Sequence, residues 1–173
     1  MRKQNEKRYR TIIATNNMPI YYSPLWLDNV AGSENWDVIF ALDKEKVIGC
    51  WPYCFKNKLT FKKSFQPHLT PYLGPWILYP EYTNEHERRS FEKKVIKDLL
   101  DQLPKFDDIR FRWHPKYDNS LPFYWNGFEQ TTQYTYILNG ISETEAIYSN
   151  YKSTLKRQIR KGEKTSLQVK SLR

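Results

Sequence analysis

Cysteine is scarce: the chain has only Cys50 and Cys54, both inside CWPYC. Three residues between them fit neither the two-residue spacing of a thiol redox motif nor a zinc knuckle. The thiols therefore read as small apolar residues of a strand, and the setting they imply is reducing and cytoplasmic. Long hydrophobic runs are missing too. No stretch approaches the roughly 18 apolar residues of a spanning helix, and the QNEKRYRT that follows MRK lacks the apolar region of a signal peptide, so neither a membrane span nor export is expected. Glycine is rare, and GxGxxG, Walker and GxSxG patterns are absent, which removes nucleotide-loop and serine-hydrolase chemistry. Of three histidines, His68 and His86 have no companion at a metal-ligand spacing, so no metal is expected. Repeats, low-complexity tracts and Gly/Ser linkers are lacking as well, and the 173 residues are expected to form one domain with one core.

Aromatic residues and positive charge are abundant. Phe, Trp and Tyr make up 16% of the chain, enough to fill a core or to line a groove. The formal net charge of +9 favours acidic partners such as RNA, phosphorylated small molecules or an anionic membrane surface, and equally fits solvated lysines with no dedicated site.

The pattern of elements is mixed. RYRTIIAT (Arg8–Thr15) reads as a short strand; YYSPLWLDNV then becomes helical, with Ser23 as N-cap, Pro24 at the first helical position and Trp26, Leu27 and Val30 facing inward. WDVIFALD and KVIGCWPYCFK form an antiparallel hairpin through Asp43-Lys44-Glu45, and LTFKKSFQ continues the meander. Both faces of the second run are apolar, so the sheet is expected to be covered on both sides, with Pro52 at an edge or a bulge. His68 to Pro80 is a proline-punctuated loop in which Tyr72, Leu73, Trp76 and Ile77 must pack. A helix follows, capped by Asn84 and Glu87, with the stripe Phe91, Val95, Ile96, Leu99, Leu100 and Leu103 ending before Pro104. DDIRFRWHP and QTTQYTYIL alternate as strands. The last helix takes Ser142 and Glu145 as a capping box, buries Ile147, Tyr151, Leu155 and Ile159, and closes at Gly162; KTSLQVKSLR begins a further strand. The fold class is α+β, a mixed sheet flanked by helices.

Three groups of residues can carry chemistry. Arg110 and Arg112, about 7 Å apart on one strand face, can bind a carboxylate or diphosphate through paired hydrogen bonds, or else pair with Asp107 or Glu129 beside the sheet. His114 ends that row; neighbouring cations disfavour its protonation, which suits a neutral base, while the plain alternative is an edge histidine. In the last helix Lys156 and Arg160 share a face and can grip phosphates, or simply complement the helix dipole.

SPLWLDNVAG, WDVIFALDKEKVIGCWPYCFK, the loop LTPYLGPW, TYIL and LKRQIRKGEK together resemble the first half of a FemAB-like transferase, a GNAT-type acyltransferase close to the peptidoglycan-bridge aminoacyltransferases. The resemblance runs from about Arg8 onward. It implies a single GNAT-like domain over residues 1–173, the N-terminal half of a two-domain bacterial-type N-acyltransferase whose second half lies beyond Arg173. It implies transfer of an acetyl or aminoacyl group to a small-molecule amine acceptor held in a groove, with acyl-CoA or aminoacyl-tRNA as donor, seated mainly in the second half. On that reading Tyr72 and the basic residues of the last helix line the groove, and the chain is inactive alone. Tyr72 also reads as a packing residue of a rigid loop. No catalytic residue is assigned. A reading from another class stands beside it: a basic RNA- or tRNA-binding module, or a non-catalytic GNAT-like scaffold.

Overall fold

A computed structural model describes residues 2–81 and 84–165. They fall into two compact units, Met1–Gln130 and Thr131–Arg173.

In the first unit, α1 (Arg2–Thr15) replaces the strand expected at Arg8–Thr15. Its β-branched residues suggest a strand, but Asn5, Tyr9 and Ile12 recur at helical spacing and share one working face. Tyr9 and Ile12 are buried, and the Tyr9 hydroxyl donates to the Tyr22 carbonyl at 2.6 Å. A 3-10 turn (Ile20–Tyr22) leads into α2 (Pro24–Ala31), where the Ser23 hydroxyl accepts from the Trp26 N–H and Pro24 opens the helix, as the sequence predicts. Leu27 is buried; Trp26 and Val30 are half-buried.

The sheet begins with β1 (Trp36–Asp43), β2 (Lys46–Lys58) and β3 (Phe61–Phe65), an antiparallel meander joined by two-residue connections. The two-residue β4 (Trp76–Ile77) also pairs with β2. After α3 (Glu85–Gln102) the chain crosses over to β5 (Asp108–Ile109), which lies parallel to β3. The fold is therefore α+β, with a mixed sheet flanked by helices. β2 is buried on both faces from Ile48 to Cys54. Burial pushes the free thiols of Cys50 and Cys54 up to about 12, in keeping with their role as apolar filler.

Pro52 sits inside β2 without cost. The carbonyls of Val38 and Phe40 turn to the outer edge of β1, where Asn5 Nδ2 and Gln102 Nε2 donate to them at 3.2 and 2.8 Å. Val38 and its partner Pro52 thus point their backbone polar groups away from each other. On its other side Pro52 faces the interval between β4 and β3, so no ladder bond asks for its missing N–H. The same two side chains blunt the edge of β1.

Asn84 caps α3 by accepting from the Glu87 N–H, and Val95, Ile96 and Leu99 are buried against the sheet. Gly49 permits this approach: a Cβ there would stand 2.5 Å from Val95 Cγ1. α3 also buries Glu92, whose carboxylate accepts from Tyr79 Oη (2.7 Å), Arg88 Nη1 (2.7 Å) and Asn119 Nδ2 (3.0 Å). Beyond Ile109 the expected strand is irregular, apart from a bridge between Leu73 and Arg112. Its alternation survives: Phe111 and Trp113 pack inward against Phe123 of α4 (Leu121–Tyr124), while Arg110 and Arg112 are exposed.

The second unit keeps the expected helical segment but departs from the sequence expectation in its strand and in the continuity of that helix. Gln130–Leu138 forms no strand, and Tyr134 and Tyr136 are almost wholly exposed. Strand propensity expresses itself only where a pleated surface packs, and none forms here among the described residues. The single helix expected from Ser142 to Gly162 is two, α5 (Thr144–Ser149) and α6 (Ser153–Lys164), parted at Asn150–Lys152 where Lys152 is extended. α5 starts one residue too late for a Ser142–Glu145 box; Glu143 is its N-cap and makes no side-chain cap bond. α6 runs through Gly162 to Lys164. Ile147, Tyr151 and Ile159 are half-buried and Leu155 is exposed, so the expected buried stripe does not form. The strand expected from Lys164 onward lies, past Thr165, outside the described residues.

Candidate functional site

The loop after β3 is stitched tightly. Gln66 accepts from the Arg112 N–H through Oε1 (3.1 Å) and donates through Nε2 to the Thr70 carbonyl (2.8 Å). Buried Thr70 accepts from Trp26 Nε1 (2.9 Å) and donates to the His68 carbonyl (3.1 Å), so the capped start of α2 fixes the loop. From the other side, Trp113 Nε1 donates to the Pro75 carbonyl and the Tyr117 hydroxyl accepts from the Ile77 N–H, each at 2.8 Å.

Held this way, rings from four segments meet edge to face. Tyr21 lies against Trp26 (5.2 Å between centroids) and Tyr72 (5.4 Å); Tyr72 meets His114 at 4.3 Å, and His114 meets Trp76 at 5.5 Å. The Lys116 ammonium stands 3.2 Å from the centre of the Trp76 ring. The surface is half-buried at Tyr21, Trp26, Tyr72 and His114. Among the described residues the Tyr21 and Tyr72 hydroxyls and the His114 Nε2 make no hydrogen bond.

The electrostatics fix the state of the imidazole. Burial, reinforced by the Lys116 charge, lowers the His114 pKa, and its Nδ1 accepts from the Lys116 N–H at 3.1 Å. The neutral ring therefore carries its proton on Nε2. The cause of its neutrality is burial and Lys116 rather than the Arg110–Arg112 row, and because the lone pair a base would use is taken, His114 offers a donor instead. Burial lowers the Lys116 amine to about 8 and raises the Tyr72 phenol. The surface can thus donate hydrogen bonds to a ligand oxygen and stack rings on a flat or cationic group.

Of the residues expected to form a site, the structure brings together Tyr72 and His114. Arg110 pairs with Asp108 at 3.2 Å rather than with Asp107, whose carboxylate accepts from the Lys62 N–H. The Arg112 backbone holds the loop, and its guanidinium has no ion pair among the described residues. Lys156 and Arg160 belong to α6 in the second unit, where Lys156 Nζ donates to the Ser149 carbonyl at 2.8 Å. Sequence reasoning missed Lys116 and Tyr21; only the place of Lys116 two residues after His114 hinted at the first. Among the described residues no three His, Cys, Asp or Glu side chains gather as a metal would need, and no helix is long and apolar enough to cross a membrane. Against protein-family models, curated proteins and solved structures, the chain gives no match.

Proposed function

We propose that this chain supplies the acceptor-binding part of a FemAB-like N-acyltransferase, with a GNAT-like fold, and that the surface formed by Tyr72, His114 and Lys116 receives an amine-bearing small molecule. The observation that carries the reading is the meeting of Tyr72 and His114 at 4.3 Å, made by two distant segments that the loop bonds hold in place. An antiparallel meander followed by a helical crossover to a parallel strand supports the fold part of the reading.

A donor such as acyl-CoA would supply the activated carbonyl, and the residues here do not fit it. Gly162, the one glycine near the basic run, lies inside α6 and forms no phosphate loop. On this reading the described residues serve the acceptor. His114 Nε2–H and the Tyr72 hydroxyl orient it through its oxygens, and the half-buried ring of Tyr72 flanks its carbon skeleton or its ammonium.

The test is an NMR titration with lysyl peptides and amino sugars, read at the His114 and Tyr72 ring signals. Saturable shifts at both are expected, with the His114 shift lost in Tyr72→Ala; a folded protein whose His114 signal ignores every amine would overturn the reading.

A second reading, an RNA-binding module, is favoured by α6. At 3.6 residues per turn, Lys156, Arg157, Arg160, Lys161 and Lys164 fall within an arc of about 140°. None of the five forms an ion pair among the described residues. Lys156, Arg160 and Lys164 follow each other at about 6 Å of rise. This reading predicts binding to single-stranded RNA with a log-log salt slope near −0.7 for each phosphate contacted, shallower in Arg157→Ala/Arg160→Ala. Absence of binding at low salt removes it.

A further inference from the structure

The β2–β3 hairpin extends past the covered part of the sheet, and its tip combines three features. Leu59, the first residue of the two-residue connection, is 98% exposed and adopts φ 53°, a region that suits glycine or asparagine and disfavours leucine. Phe61, two residues on, is 49% exposed. Around these two apolar side chains stand Lys56, Lys58, Lys62 and Lys63, with no acidic residue between Lys56 and Lys63. Lys63 is paired with Asp108 and Lys56 rests over the Phe65 ring, while Lys58 and Lys62 form no ion pair among the described residues. In the cross-strand pairs, Asn57 faces Lys62 and Lys58 faces Phe61. Asn57 and Lys62, with Lys105, line a shallow groove of about 230 Å³ beside the tip. The equivalent turn between β1 and β2 has the same positive φ at Lys44, a charged residue at home in solvent. Leucine at Leu59 gains nothing from the fold and strains its backbone.

We propose that this tip is a membrane-docking element that seats on an anionic lipid surface. Leu59 and Phe61 enter the boundary between headgroups and acyl chains, and Lys58, Lys62 and Lys105 meet lipid phosphates. Two apolar side chains on a convex turn are too few for the core of a protein interface, which draws on roughly 20–30 residues a side. A wedge ringed by cations matches a headgroup layer in shape and in charge. This inference does not depend on the acceptor reading.

The experiment is co-sedimentation of the full chain with vesicles of phosphatidylcholine alone and of phosphatidylcholine mixed with phosphatidylglycerol. The expected result is binding to the mixed vesicles only, weakened by salt. Leu59→Gly relieves the backbone and keeps the fold, yet lowers partitioning about tenfold, because a buried leucine is lost. Lys58→Glu and Lys62→Glu each lower it by fivefold or more. Lys7→Glu, the same charge change on α1, leaves it unaltered. Leu59→Trp gives a tryptophan whose emission shifts to the blue on the mixed vesicles. The proposal is overturned if wild type fails to sediment with anionic vesicles, if Leu59→Gly binds as wild type does, or if the four lysines capture RNA while vesicles are ignored.

Discussion

α3 and α6 are both dense in charge, and they use it in opposite ways. Along α3, Arg88 and Arg89 engage Glu85, Glu92 and Asp118, Lys94 pairs with Asp98, Lys97 pairs with Asp101, and Lys93 lies over the Trp125 ring. Its first turn carries Glu85 and Glu87 behind an Asn84 cap, so the dipole is answered as well. α6 has Lys152 at its N-cap with no side-chain cap bond, no acid in its first turn, and five cations on one side without an ion pair among the described residues. Charge consumed inside a helix serves the fold. Charge left over on one face is available to a partner, and of these two helices α6 is the one that offers such a face.

The comparison breaks most severely at Glu92. Glu92→Ala strands the Tyr79 hydroxyl, the Asn119 amide and part of the Arg88 guanidinium, and is expected to cost about 3 kcal/mol in urea unfolding. A loss below about 1 kcal/mol would mean that Glu92 does not seat α3. Gly49→Ala comes next. Its methyl group must displace Val95, and overpacking of that kind costs about 2 kcal/mol, with a matching fall in Tm.

How far the sequence displayed all this depended on whether a segment packs. The meander, the caps of α2 and α3 and the burial of Leu73, Trp76 and Ile77 were legible, because periodicity and cap chemistry agreed with the tertiary contacts. α1 was misread since Thr11, Ile12, Ile13 and Thr15 speak for a strand, while the helical spacing of Asn5, Tyr9 and Ile12 is visible only over a longer window. In the second unit the strand was misread because Gln130–Leu138 has strand composition but no partner among the described residues. In the candidate site, Tyr72 and His114 were legible one by one as unusual residues. Their contact was not, since it depends on Thr70, Gln66 and Trp113 bonding across long stretches of chain. Glu92 is not distinguished in sequence from the other acids of this charged helix, and nothing in its neighbours announces the donors that reach it from Tyr79 and Asn119.

A milder way to sharpen the contrast is acid. The Arg89 guanidinium holds Asp118 below the usual carboxylate range, and Arg88 does the same for Glu85. A folded pKa below the unfolded one adds stability above about pH 4, and that stability fades as pH falls through the folded pKa. Both groups are exposed, so the loss is modest. Replacing Asp118 by Asn should flatten the decline of Tm between neutral and acid pH.

The smallest expected effect on stability is the most informative one for function. Lys156→Glu/Arg160→Glu removes no ion pair among the described residues and gives up one exposed hydrogen bond, from Lys156 Nζ to the Ser149 carbonyl, so urea unfolding should shift by no more than about 0.5 kcal/mol. If α6 holds a polyanion, the same double change should abolish low-salt binding to single-stranded RNA, since it reverses charge at two of the three positions spaced by one turn. Stability unchanged with binding lost would fix α6 as a face for an outside partner. Stability lost instead would mean that α6 spends its charge on the fold as α3 does, and the contrast between the two helices would fall.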